Sequence, residues 1–204
     1  VGGGYPTESE IQGVRSSITF IKNMMLGNDE IEALRDELDF DIGKIYKGYR
    51  SFMRSHQLMD YDDQLTYAYT ILAHDMRAMD HLHESFSYVL IDEAQDTSKI
   101  QHLIIAMIAR QGNQDNLFMV GDEDQSIYGF RGAYPEALMS FKDNHPGARV
   151  LLMEKNFRSD ANIVNAASNV ISHNVLRHEK KMSASHDAVI PVRKVELVSR
   201  GAQL

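Results

Sequence analysis

The chain contains no cysteine and no tryptophan, and only four of its 204 residues are proline. The missing cysteine excludes disulfides, thiolate metal sites and cysteine nucleophiles together, and it agrees with a reducing compartment. No apolar run reaches the roughly 18 residues a membrane helix needs, and the N-terminus lacks the charged and apolar regions of a secretory signal. An intracellular, cytoplasmic protein is therefore expected. Positive charge is also scarce, since 21 Lys and Arg face 29 Asp and Glu for a formal net charge of −8. Gripping nucleic acid through the overall field needs an excess of cations, so any DNA contact must use a local groove. No stretch reads G-x-x-x-x-G-K-[ST]; the glycines at 2–4 are followed by no Lys-Ser or Lys-Thr at the spacing a phosphate loop requires. The nine histidines show no metal-ligand spacing, and no nucleophile elbow occurs.

What remains is ordinary globular material, 43% hydrophobic and 25% charged. The chain starts at Val1 rather than Met and stops at Leu204 shortly after an apparent strand, which predicts an internal piece of something longer. From Glu8 to about His56 the pattern is helical. Ile42, Ile45, Tyr46, Tyr49, Phe52 and Met53 recur at spacings of three and four, opposite Lys44, Lys47 and Arg50. A further helix is expected from Asp62 to about Leu82, with Asp60, Asp62 or Asp63 capping its first turn.

After Ser85 the period changes. Short apolar runs at 87–91, 117–121, 149–154 and 194–199 predict strands, and the first three are continuous enough to be covered on both faces. Helices are expected between them, over about 97–110 and 135–143, and again over 160–174. Strand, helix, strand, helix, strand predicts one parallel sheet with right-handed crossovers.

Ligands of such sheets bind beyond the carboxyl ends of the strands. The first strand is followed by Asp92, Glu93, Gln95 and Asp96, the second by Gly121, Asp122, Glu123, Asp124 and Gln125, and the third by Lys155, Asn156 and Arg158. All three clusters are expected on one edge. Polar loops and Asp caps explain any one of them, but three together favour a phosphate site. An Asp after a buried strand can hold Mg²⁺. An adjacent Glu can deprotonate water. A Gln amide can report a γ-phosphate, and an Arg offers a fork of donors to charge developing in phosphoryl transfer.

The strings "VLIDEAQDTS", "FMVGDEDQSIYGFRGA" and "LLMEKNFRS", in that order, resemble motifs II, III and IV of superfamily 1 DNA helicases of the UvrD/Rep/PcrA type. The resemblance runs from "IYKGYRSFMRSHQLMDYDDQL" (45–65) through "ANIVNAASNVISHN" (161–174). It implies a partial RecA-like P-loop NTPase motor core, α/β with a parallel sheet, preceded by a helical segment. Residues 1–57 would be a remnant of the 1B-type insertion, 58–148 part of the first motor domain, and 149–204 the start of the second. By the same resemblance Asp92 binds magnesium, Glu93 is the catalytic base, Gln125 contacts the γ-phosphate and Arg158 is an arginine finger. Tyr128 and Phe130 would stack on bases of single-stranded DNA, which is sequence-tolerant because every base has a π-face, and Arg131 would brace that segment.

ATP, Mg²⁺, single-stranded DNA, duplex junctions and the remainder of a helicase chain are the implied ligands and partners. Phe130 stands where the family often has tryptophan, which keeps the ring. The missing phosphate loop is the larger departure, because its Lys and backbone N–H groups cradle the β- and γ-phosphates. The chain alone is therefore expected to bind ATP weakly or not at all. Two alternatives remain open at this level: a non-catalytic DNA-binding or protein-interaction module, and a piece of a helicase-nuclease.

Overall fold

A computed structural model describes residues 5–112, 114–126, 129, 132–175, 177–189 and 191–193. The chain divides into two compact units, Val1–His145 and Pro146–Leu204, and each is described by itself.

The first unit opens with five helices, started by side chains that satisfy the free N–H groups of a first turn. Thr7 opens α1 (Glu8–Asn23) with a reciprocal box: its hydroxyl accepts the Glu10 N–H at 3.3 Å, and the Glu10 carboxylate accepts the Thr7 N–H at 2.7 Å. Gly27 precedes α2 (Asn28–Asp36), where Glu30 reaches back to the Gly27 N–H. Asp41, Asp60 and Asp75 cap α3 (Ile42–Ser55), α4 (Tyr61–His74) and α5 (Met76–Ser85). Both α1 and α3 end by folding back. The Leu26 N–H returns to the Ile21 carbonyl and the Leu58 N–H to that of Met53, which puts Met25 (φ 52°) and Gln57 (φ 54°) in the left-handed region. Ile18, Ile21, Ile31 and Ile42 form the core between α1, α2 and α3, with Val14, Leu34 and Phe40 packed around them. Burying such a side chain stabilises by about 1.5–3 kcal/mol.

The chain then becomes β1 (Val89–Ile91), a turn of 3-10 helix (Ala94–Asp96), α6 (Lys99–Ala109), a small hairpin of β2 (Arg110–Gln111) and β3 (Gln114–Asp115), and β4 (Leu117–Met119). β1 and β4 pair in parallel, Val89 opposite Leu117, Leu90 opposite Phe118 and Ile91 opposite Met119, with α6 in the crossover. Two short helices, α7 (Glu136–Met139) and α8 (Phe141–Asn144), complete the unit. The second unit repeats the scheme: β5 (Lys155–Asp160), α9 (Ala161–Ile171) and β6 (Ser183–His186), with β5 and β6 parallel. The chain is thus α/β, with two short parallel pairs.

Several sequence expectations are corrected. The described strands form three two-stranded sheets, not one. The β1–β4 pair is covered on one face only; Leu90 is 73% exposed and Phe118 59%, because α6 packs on the opposite side among the described residues. The apolar run 149–154 contains no strand, and Leu151 and Met153 are 74% and 81% exposed. Pairing defines a strand, and the partner segment 183–186 lies opposite 155–160, so the hydrophobic run and the paired run are different residues. The helix expected over 62–82 breaks at Asp75, whose carboxylate accepts the N–H groups of Arg77 and Ala78 and so starts a new helix instead of continuing the old one. The helix expected over 135–143 is likewise two, meeting at Ser140. The predicted strand at 194–199 lies outside the described residues.

Candidate active site

Because β1 and β4 are parallel and in register, they stop together. The ladder continues for one more step on each side, with the Val120 N–H donating to the Ile91 carbonyl (2.8 Å) and the Ala94 N–H to that of Val120 (3.0 Å). Asp92 and Glu93 therefore leave the sheet beside Gly121 and Asp122. Asp92 and Glu93 are both exposed, and one Asp92 carboxylate oxygen accepts the Glu93 N–H at 3.0 Å. Glu93 has φ 50° and ψ 43°. For a residue with a Cβ this left-handed conformation costs about 1–2 kcal/mol, and strain of that kind concentrates at functional sites. It turns the chain sharply out of β1 and leaves the Glu93 carboxylate at the sheet's edge.

Across the edge, Asp122 organises the second turn. Its carboxylate accepts the Asp124 N–H at 3.3 Å and the Gln125 side-chain amide at 2.7 Å, which holds the exposed Gln125 against the turn. Gln95 joins the two halves. Its side chain is 2% exposed, donates Nε2 to a Glu93 carboxylate oxygen at 2.7 Å and accepts the Asp122 N–H on Oε1 at 3.0 Å. Gln95 is visible in the sequence only as one polar residue of the cluster after β1; nothing there distinguishes a buried bridge from surface polarity.

Lys155, Asn156 and Arg158 lie within β5, in the second unit, rather than in a loop beyond a strand. Arg158 is exposed, and its backbone N–H donates to Asn156 Oδ1 at 2.9 Å. Tyr128, Phe130 and Arg131 lie outside the described residues. Gly132 has φ 81°, and a Cβ added there would stand 2.9 Å from Asn23 Cβ at the end of α1. Only glycine fits so close to a helix in that conformation.

The family of UvrD/REP helicase N-terminal domains matches residues 6–146, a span that contains both halves of the site. The chain belongs to the UvrD/REP helicase family. Over 152 residues, 73% of its length, it is 35% identical to the ATP-dependent DNA helicase PcrA of Staphylococcus epidermidis, covering 21% of that protein. Over 181 residues, 88% of its length, it is 32% identical to the ATP-dependent DNA helicase Rep of Buchnera aphidicola, covering 27% of that protein. The chain thus spans about a quarter of the length of these relatives.

In this UvrD/REP helicase chain, no group of three His, Asp or Glu side chains among the described residues could hold a metal by itself. The ligand expected from the sequence, Asp92, offers one exposed carboxylate. That fits magnesium better than a structural metal, since Mg²⁺ takes one or two carboxylates and fills its octahedron with phosphate oxygens and water.

Proposed function

We propose that this chain is the part of an ATP-dependent DNA helicase that activates water for ATP hydrolysis and carries the loop that stacks on single-stranded DNA. One observation supports this most: two parallel strands end in step and bring Asp92–Glu93 beside the Asp122–Gln125 turn, in a chain of the UvrD/REP helicase family. In this reading Asp92 holds magnesium, which would supply charge neutralisation to the phosphates. Glu93 takes the proton of the attacking water, Gln125 contacts the γ-phosphate, and Arg158 of the second unit meets the charge developing on it. Tyr128 and Phe130 stack on bases and Arg131 braces them. Residues 58–148 belong to a RecA-like first motor domain, 149–204 begin the second, and 1–57 belong to the 1B-type insertion. The protein works in the cytoplasm on single strands and duplex junctions, together with the rest of its motor.

ATP turnover requires a phosphate loop, and no G-x-x-x-x-G-K-[ST] occurs in these 204 residues. The test compares the 204-residue chain with a full-length helicase containing it, each with and without single-stranded DNA. The chain alone should not turn over ATP. In the full-length helicase Glu93→Gln should lower kcat by about 10²–10⁴-fold, the usual worth of a general base. Tyr128→Ala combined with Phe130→Ala should weaken single-strand binding without unfolding. Unchanged turnover in Glu93→Gln would overturn the assignment, and ATP turnover by the chain alone would refute the need for an outside loop.

A further inference from the structure

We infer that Gln95 is a positioning residue for ATP hydrolysis, holding the Glu93 carboxylate in place and tying it to the Asp122–Gln125 turn. This rests on the reading of Glu93 as the base. A main-chain N–H can only donate, so the Asp122 amide fixes which end of the Gln95 side chain is the oxygen, and the nitrogen must face Glu93. The amide is thus not free to flip without leaving a buried donor opposite a donor.

The surroundings leave it nowhere else to go. Gln95 is 2% exposed, and its own backbone carbonyl accepts the Ser126 hydroxyl at 3.3 Å, at the far end of the same turn. A Cβ at position 121 would stand 2.8 Å from Gln95 Oε1 and 3.2 Å from the Ala94 N, so Gly121 keeps the space the bridge occupies. Hydrogen bonds then run from the Glu93 carboxylate through the Gln95 amide to the Asp122 main chain, and from the Asp122 carboxylate to the Gln125 amide, with the covalent frame of Asp122 joining the two. Glu93 sits on a strained turn and is exposed to water, so its side chain has many alternative directions. The Gln95 amide selects one. When Gln125 responds to a γ-phosphate, the same line carries a displacement of the turn back to the base.

Two substitutions separate the ends of the bridge. Gln95→Met keeps the length and volume and removes both bonds. Gln95→Glu keeps an acceptor for the Asp122 N–H and sets a second carboxyl group against Glu93 in place of the amide donor. In the 204-residue chain, hydrogen exchange of the Asp122 amide should quicken at least about tenfold in Gln95→Met and stay near the original rate in Gln95→Glu, as expected when one hydrogen bond is the protection. In the full-length helicase both variants should lower kcat about 10–100-fold, the usual worth of an orienting partner, with KM for ATP within about twofold. If Gln95→Met does not fold, Gln95→Glu carries the kinetic test alone. Unchanged kcat in a folded variant, while Glu93→Gln abolishes turnover, would overturn the positioning role and leave the base intact. Turnover surviving Glu93→Gln would overturn the base and this inference together. Equal Asp122 exchange in all three proteins would overturn the bridge itself.

Discussion

Lys22 offers the sharpest test of what holds the first unit together. It lies in the last turn of α1, only 6% exposed, and its ammonium pairs with Asp60 at 2.6 Å and Asp63 at 2.7 Å in the first turn of α4. Tyr49 of α3 donates its hydroxyl to Asp60, and next to Lys22 the Asn23 amide donates to Asp62 at 2.8 Å. One cation thus fastens three helices. Replacing it by methionine keeps the aliphatic length and leaves two carboxylates facing each other. Removing one partner of a buried pair costs about 3–5 kcal/mol, but Asp60 and Asp63 retain 29% and 20% of their side-chain exposure, so water takes over part of the work and we expect about 2–3 kcal/mol. Urea unfolding of the chain, followed by helix circular dichroism, should show a lower midpoint at constant slope. Asp60→Asn in the same background should recover part of the loss, giving a coupling of about 1 kcal/mol or more. A loss below about 0.5 kcal/mol, or no coupling, would refute the reasoning.

The pH dependence has a definite sign. Burial pulls the Lys22 ammonium down, but its bonds to Asp60 and Asp63 outweigh this and leave its pKa above the ordinary value. Burial pushes Asp60 up, and the bonds from Lys22 and Tyr49 leave it below the ordinary value. Tyr49 is pushed up to about 12, by burial first and by its bond to Asp60 second. A lowered carboxylate stabilises above its unfolded pKa and loses that contribution as pH falls through the folded one. A raised ammonium stabilises below its unfolded pKa and loses that contribution as pH rises through the folded one. The bridge should therefore be at full strength across neutral pH and weaken at both extremes, and Lys22→Met should flatten the curve.

Two further substitutions address backbone conformation. Gln57→Gly, at a left-handed position that closes α3, should raise stability by about 0.5–1 kcal/mol after the extra freedom of the unfolded glycine is subtracted; a lower urea midpoint would show that the position is not strained. Gly132→Ala should cost about 1–3 kcal/mol, because its Cβ meets Asn23 in a conformation alanine resists, and the Asn23 amide resonance should shift; an unmoved resonance with unchanged stability would refute the contact.

The parts of the fold that were legible in the sequence are those whose cause is local. The runs at 87–91 and 117–121 contain β1 and β4, the patterns at 97–110 and 160–174 contain α6 and α9, and Asp60 caps α4 as expected. What failed depends on partners. Residues 149–154 are hydrophobic enough for a strand, yet 183–186 pairs with the more polar segment beside them. Asp75 is compatible with a helix interior by pattern and breaks it by accepting the backbone N–H groups of Arg77 and Ala78. Adjacent acids after β1 marked Asp92 and Glu93 as candidates, Gln95 stood out only as one polar residue of the same cluster, and Lys22, which lies outside the site, gave no signal. The significance of Lys22 comes from carboxylates 38 and 41 positions away, and that of Gln95 from a main-chain N–H 27 positions away.

The open face of the β1–β4 pair has a mechanical consequence. Leu90 and Phe118 stand opposite one another there, with Tyr88 71% exposed nearby on the same chain run, so the strands that carry Asp92 and Glu93 form a plate propped from one side by α6. A plate backed on one side bends more readily than one clamped between two layers. Whatever sheathes Leu90 and Phe118 dries those side chains and stiffens the mount of the two carboxylates in the same step, which makes the wetness of one face and the steadiness of the opposite edge a single property.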